Sequence, residues 1–414
     1  MKYVIEGKNR LFGEINIQAA KNSVLALIAG SVLVSGDVLI ENCPKIYDVL
    51  CMCKILKKMG AKVKFAQEGL LINTDGIGTT VLPEKLTNEV RASLFMVGAL
   101  LSRFKSATMS RPGGCNIGSR PMDIHVDALT KMGVKFSESE GVLRFSAEKL
   151  KGANVRLKYP SVGATENLMM AGVFAEGVTV VENCAKEPEI CDLQNFLCSM
   201  GAKISGAGTS FIRIEGVKKL YGRDFKPIPD RIETGTFLLA AATCGGELLL
   251  KNTRCGNILV LIEKMQNNAC KIRHINDNIY IIVNNRLKGF GEIVTSPYPG
   301  FPTDLQPLVG ACACSFVGKT VIKETVFESR FRYANELVKM GADLSVNGDT
   351  LEINGGELFG AEVLSPDLRG GAGLCLAALS AEGETVVGDV GNVERGYEDF
   401  DKKLRSVGAK IIKK

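Results

Sequence analysis

The chain has 414 residues, 46% of them hydrophobic, with 51 Lys and Arg against 45 Asp and Glu for a formal net charge of +6. That length exceeds what one core usually supports, so two domains of roughly 200 residues are expected. The charge is modest and scattered, which argues against a nucleic-acid partner; the best apolar run, 24–34, is short and broken by Gly30 and Ser31, which argues against a membrane one.

In chain order the sequence reads as one unit written six times. Each unit opens with two short β-rich runs around a polar turn, as at 3–17, 143–157, 212–225 and 351–363. An apolar helix follows, predicted over 24–33, 92–101, 167–174, 236–242, 305–314 and 373–379. These helices lack a polar face, so they are expected to be enclosed. Next come a strand, such as 38–41 or 178–182, a loop, a second amphipathic helix and a closing strand. The second helix ends on a recurring phrase, as in Leu56-Lys-Lys-Met-Gly60 and Leu337-Val-Lys-Met-Gly341, which puts Gly60, Gly133, Gly201, Gly341 and Gly408 where a left-handed cap is needed. A degenerate copy offers Asn268 in that role, and the six positions are 67 to 73 residues apart.

Three enclosed helices inside a ring of sheets and outer helices make one α/β domain, and two such domains make the chain. The break is expected at Lys226-Pro-Ile-Pro-Asp230. The opening run of about 20 residues is equivalent to the one before the break, and is expected to pair with the far domain. That assigns 21–228 to one domain and 1–20 plus 229–414 to the other, with a double crossover, a hinge and a cleft between them.

Polar residues recur at the mouths of the apolar helices: Lys21 and Asn22, Arg91, Ser161 to Thr165, Asp230 and Arg231, Asp304, Asp367 and Arg369. Helix N-termini carry unpaired amides and partial positive charge, so six anion-binding ends are expected. The aspartates among them also suit plain capping. The loop 111–121, Arg-Pro-Gly-Gly-Cys-Asn-Ile-Gly-Ser-Arg-Pro, is shaped by three glycines and two prolines and holds Cys115 between Arg111 and Arg120. A thiolate there is stabilised by the guanidiniums, which suits a reactive cysteine beside an anionic substrate. Thirteen cysteines behind a strand-like N-terminus point to a reducing compartment, hence the cytoplasm. With only His125, read as structural, and His274, and without Cys-x-x-Cys, no metal site is expected.

Ten motifs in order carry a resemblance over the whole chain: Gln18-Ala-Ala-Lys-Asn22, Arg91-Ala-Ser, Pro112 to Asp123, Ser161-Val-Gly-Ala-Thr165, Glu187-Pro-Glu-Ile, Pro229 to Thr236, Phe301-Pro-Thr-Asp304, Glu324-Thr-Val-Phe-Glu328, Asp367-Leu-Arg369 and Glu394-Arg-Gly-Tyr-Glu398. Together they resemble the UDP-N-acetylglucosamine 1-carboxyvinyltransferase family of enolpyruvyl transferases. The resemblance implies two inside-out α/β barrel domains of three βαβαββ-type units each. It also implies enolpyruvyl transfer from phosphoenolpyruvate to the 3-hydroxyl of UDP-N-acetylglucosamine with loss of phosphate, the first committed step of peptidoglycan synthesis, without metal or organic cofactor. By it Asp304 is the general base, and Cys115 is the reactive thiol that donates a proton, forms an adduct with phosphoenolpyruvate and is the target of fosfomycin. Lys21, Asn22, Arg120 and Arg395 hold phosphoenolpyruvate. Asn22, Arg91, Arg120, Pro121, Met122, Asp123, Ile124, Ser161, Val162, Gly163, Asp304 and Val326 contact the sugar nucleotide, with Asp230, Asp367 and Arg369 as further cleft candidates.

Tyr159 stands where some members carry a lysine, which puts one nucleotide contact in doubt. Two rivals stay open: the sister synthase acting on shikimate 3-phosphate, and a catalytically silent paralogue that binds the nucleotide. A monomer is expected.

Overall fold

The computed structural model describes residues 1–114, 117–118, 122–268 and 270–414. The chain divides into two compact bodies, the first holding residues 1–18, 117–118 and 229–414 and the second residues 19–114 and 122–228. In the first body the helices Arg231–Cys244, Gln306–Ala313 and Leu368–Ser380 pack on one another, and every residue of the last two is buried. In the second, Met96–Phe104 packs against both Lys21–Gly30 and Val162–Gly172. Burial on all sides is what an apolar helix without a polar stripe requires.

Most of these helices extend further toward the N-terminus than the apolar runs, because their polar first turns are helical too. Asp230 accepts from the amides of Ile232 and Glu233 at 2.8 and 3.0 Å, and Asp367 from those of Arg369 and Gly370 at 3.0 and 3.1 Å. Ser161 caps Val162–Gly172 through the Ala164 amide. Three of the six expected anion-binding ends are therefore occupied by the chain's own side chains. The second repeat departs in another way, with a 3-10 turn over Arg91–Phe95 preceding its helix Met96–Phe104.

The sheets correct one expectation. The two β-rich runs that open each repeat do not form a hairpin; they lie in different sheets. In the third repeat Asn154–Arg156 runs parallel to Val178–Glu182, which is antiparallel to Phe211–Glu215, which in turn pairs with Lys203–Ser205. The fifth repeat has the same order in Gly291–Val294, Gly318–Lys323, Thr350–Gly355 and Asp343–Asn347. The hairpin thus joins the closing strand to the run after it, and the next run crosses to a new sheet. In the second repeat the opening strand shrinks to a single bridge, Val81 to Thr108.

Two strands are exchanged at the start and middle of the chain. Leu11–Asn16 runs parallel to Gly246–Lys251, in the fourth repeat's sheet, while Asp224–Phe225 runs parallel to Asp37–Glu41, in the first repeat's sheet. Lys2–Glu6 is antiparallel to both Glu384–Gly388 and Lys410–Lys413, so it fills the sixth repeat's remaining strand position. The expected caps hold at five places: Gly60, Gly133, Gly201, Gly341 and Gly408 have φ of 109, 91, 111, 84 and 102°. Asn268 is not among the described residues with positive φ; its side chain donates to the Lys288 carbonyl at 2.9 Å instead. Among the described residues no helix is long and apolar enough to cross a membrane.

Candidate active site

In the second body Lys21 opens its helix inside the protein. Its Nζ lies 2.8 Å from the Asp48 carboxylate, with side-chain exposures of 9% and 7%. Asp48 sits in the first turn of helix Tyr47–Met59, where it reads in sequence as an ordinary acidic first-turn residue, and sequence reasoning missed it. Asn22 beside Lys21 is half-buried. Arg91 begins the 3-10 turn, and the base of the cysteine-bearing loop lies against it. A Cβ at Gly113 would stand 1.7 Å from the Asn88 carbonyl oxygen, and one at Gly114, whose φ is 111°, 3.0 Å from the Arg91 Cβ. Only glycine allows that approach. Arg111 pairs with Glu138 at 2.7 Å on the surface, so one of the two guanidiniums expected to favour a thiolate is already engaged. Cys115, Arg120 and Pro121 lie outside the described residues.

Met122 precedes helix Asp123–Thr130, which carries Asp123 and Ile124. Inside it, His125 backs the glycine of the Ser161-Val162-Gly163 turn: a Cβ at Gly163 would lie 3.0 Å from the His125 Cε1. The Asn167 amide nitrogen is 3.1 Å from its Nδ1. Tyr159, two residues before Ser161, is 40% exposed. Burial, with Arg91 adding to it, pushes the His125 pKa down from 6.5 to about 4. Unfolding therefore takes up a proton between those values, so the stability His125 contributes is complete above pH 6.5 and is lost as pH falls toward 4. Thermal unfolding of the wild type and His125→Gln at several pH values across that window should show the wild type losing more. Parallel curves would rule this out.

In the first body Asp304 is no cap. Its Oδ1 accepts from Arg330 Nη2 at 2.8 Å and its Oδ2 from Arg369 Nη2 at 3.2 Å, the guanidiniums being 3% exposed and the carboxylate 28%. The result is one partly open carboxylate whose two oxygens are each held from behind. Burial works to discharge Arg369, but Tyr397, Asp304 and Asp230 outweigh it and hold the guanidinium firmly charged. Arg330 Nε and Arg369 Nη1 are buried without a hydrogen-bond partner, as is the second oxygen of Asp367. Arg330 escaped sequence reasoning because Glu328-Ser-Arg-Phe-Arg332 reads as a solvated charge run.

Glu324, buried at 4% exposure, organises the same segment. Its carboxylate accepts from the Thr295 and Thr303 hydroxyls, both at 2.9 Å, and from the Val326 and Phe327 amides at 2.8 and 3.2 Å. Residues 303 and 304 are thus tied to 324 and 330 side by side, which fixes Asp304 relative to Val326. Glu328 lies against the other described loop residues: the Ser329 amide donates to the Ile117 carbonyl at 3.2 Å, and a Cβ at Gly118 would meet the Glu328 carboxylate at 2.3 Å. Arg395 ends the 3-10 turn Val390–Arg395 and is half-buried. Among the described residues no group of three or more His, Cys, Asp or Glu is placed to hold a metal ion.

Comparison with known proteins follows the same lines. Residues 5–404 match the family model for EPSP synthase (3-phosphoshikimate 1-carboxyvinyltransferase). The chain is 46% identical over 413 residues to UDP-N-acetylglucosamine 1-carboxyvinyltransferase 2 of Caldanaerobacter subterraneus subsp. tengcongensis, covering 100% of this chain and 99% of the relative. It is 43% identical over 412 residues to UDP-N-acetylglucosamine 1-carboxyvinyltransferase of Halothermothrix orenii, with the same coverage. Among solved structures, the enolpyruvyl transferase NikO from Streptomyces tendae superposes with a TM-score of 0.89 at 24% identity, over 99% of this chain and 98% of that one. EPSP synthase from Acinetobacter baumannii does so with a TM-score of 0.76 at 19% identity, over the full length of both. At such identities these two speak for the fold, which is the two-domain inside-out α/β barrel.

Proposed function

The chain belongs to the UDP-N-acetylglucosamine 1-carboxyvinyltransferase family, and from that premise we propose that it transfers the enolpyruvyl group of phosphoenolpyruvate to the 3-hydroxyl of UDP-N-acetylglucosamine, releasing phosphate, in peptidoglycan synthesis. The observation that carries the reading is the match to relatives of that name over the entire length. The sugar oxygen bonds to C2 of phosphoenolpyruvate while C3 gains a proton. The tetrahedral adduct then loses a proton from C3 and expels phosphate by breaking the C2–O bond. Asp304 takes the proton of the sugar hydroxyl, and its two guanidinium partners keep both oxygens oriented for that transfer. Lys21, Arg120 and Arg395 neutralise the phosphate and carboxylate of phosphoenolpyruvate, which planar guanidiniums bind in pairs of hydrogen bonds. Asn22 contacts the adduct, and Cys115 serves in proton donation and product release.

On the sugar nucleotide we assign Arg91, Met122, Asp123, Ile124, Ser161, Val162, Gly163 and Val326 as contacts, together with Arg120 and Pro121. Asp230 and Asp367 act mainly as helix caps, and Arg369 acts through Asp304. The enzyme works in the cytoplasm as a monomer. Phosphate release from phosphoenolpyruvate is the decisive measurement: it should require UDP-N-acetylglucosamine and should not occur with shikimate 3-phosphate. Release with the shikimate acceptor would transfer the chain to the sister activity, and nucleotide binding without release would make it a silent paralogue. Fosfomycin with the sugar nucleotide should add one drug mass to the intact protein, and a Cys115→Asp variant should stay unmodified.

A further inference from the structure

Gln18 lies at the end of the run that leads to Lys21, and its two halves do different things. Its main chain is secured on both sides, the amide donating to the Glu233 carboxylate at 2.8 Å and the carbonyl accepting from the Asp230 amide at 2.9 Å. Glu233 is itself fully buried and held by Lys403 at 2.7 Å. The Gln18 side chain, in a residue only 5% exposed, is used elsewhere. Its Nε2 donates to the Gly396 carbonyl at 2.9 Å and its Oε1 accepts from the Glu398 amide at 3.0 Å. The amide thus clips the main chain on either side of Tyr397, two residues beyond Arg395. Tyr397 is pinned from the other direction, by its hydroxyl 2.8 Å from Thr236 Oγ1 and by the Arg369 guanidinium 5.3 Å over its ring.

We propose that Gln18 is a positioning residue for Arg395: its side-chain amide sets the turn that aims this guanidinium at phosphoenolpyruvate. The inference rests on the proposed function, which makes Arg395 a ligand of that substrate. The amide is suited to the task because the turn offers one acceptor and one donor, and of the side chains of this length only glutamine presents one of each. Glutamate keeps the acceptor and loses the donor; methionine keeps the volume and loses both. Neither removes the main-chain bonds to Asp230 and Glu233, so the segment that carries residue 18 stays attached.

The test is steady-state phosphate release by the wild type, Gln18→Met, Gln18→Glu and Arg395→Lys, with each substrate varied in turn, beside amide hydrogen exchange of the segment 393–400. Gln18→Met should raise KM for phosphoenolpyruvate roughly tenfold, as expected for two lost hydrogen bonds, and leave KM for the sugar nucleotide within about twofold. Gln18→Glu, which keeps the bond from the Glu398 amide but sets a buried carboxylate oxygen against the Gly396 carbonyl, should raise KM for phosphoenolpyruvate at least as far, and the Glu398 amide should exchange faster in Gln18→Met. Arg395→Lys should show the same one-sided pattern. Normal wild-type turnover with an unchanged KM for phosphoenolpyruvate in Gln18→Met overturns the positioning role alone, as does an equal rise in both KM values, which marks general loosening. A wild type that releases no phosphate from the two substrates overturns the functional reading and this inference with it.

Discussion

Replacing Asp304 by Asn is expected to lower turnover by roughly a hundred- to ten-thousand-fold, the range seen when a positioned general base is lost, with UDP-N-acetylglucosamine affinity little changed. The asparagine oxygen can still accept from one guanidinium, yet it takes no proton from the sugar hydroxyl. It also leaves Arg330 and Arg369, each 3% exposed, without their full counter-charge. Removing one partner of a buried ion pair is strongly destabilising, so some loss of melting temperature should accompany the kinetic effect. The two consequences separate cleanly, because calorimetric titration with the sugar nucleotide counts folded, competent protein. Turnover within a few-fold of wild type in fully folded Asp304→Asn would remove Asp304 as the base.

The second large effect concerns folding. Asp48→Ala takes from the buried Lys21 ammonium its ion-pair partner at 2.8 Å, and removing one partner of a buried pair costs about 3–5 kcal/mol. For a body of about two hundred residues that corresponds to a fall of about 10 °C in melting temperature. The double variant Lys21→Met/Asp48→Leu removes both charges and should regain most of that stability, since an apolar pair of similar volume often matches a buried ion pair. It should not regain phosphate release, because Lys21 is assigned to phosphoenolpyruvate. Differential scanning of the single and double variants checks the first statement, and the coupled assay the second. An Asp48→Ala protein that melts with the wild type would show that other neighbours compensate the lysine.

Much of the architecture was legible because the repeat announces itself at positions with one solution. The Met-Gly phrase requires a residue with positive φ after a helix, and the five glycines adopt it. Asn268 misled because asparagine tolerates that conformation without demanding it. The hairpin error had a different cause. Glycine and polar residues between two β-rich runs mark either a tight turn or a crossing to another sheet, and local composition does not separate them: 147–153 crosses, while Glu140 and Gly141, with φ of 51 and 75°, form the actual turn. In the site, residues that sit at helix mouths could be found by position. Asp48, Glu324 and Arg330 act through partners 27, 21 and 26 residues away in sequence, counted from Lys21, Thr303 and Asp304. Long-range pairing of that kind leaves no periodic trace.

The strand exchange has a practical corollary. A fragment of residues 229–414 would lack Lys2–Glu6 and Leu11–Asn16, leaving open the slot between Glu384–Gly388 and Lys410–Lys413 and one side of Gly246–Lys251. Bare edges of this sort recruit foreign chains, so the fragment should aggregate when made alone. A synthetic peptide of residues 1–18 added in trans would fill both vacancies at once, and its uptake would turn this half of the enzyme into a split reporter assembled by β-strand complementation.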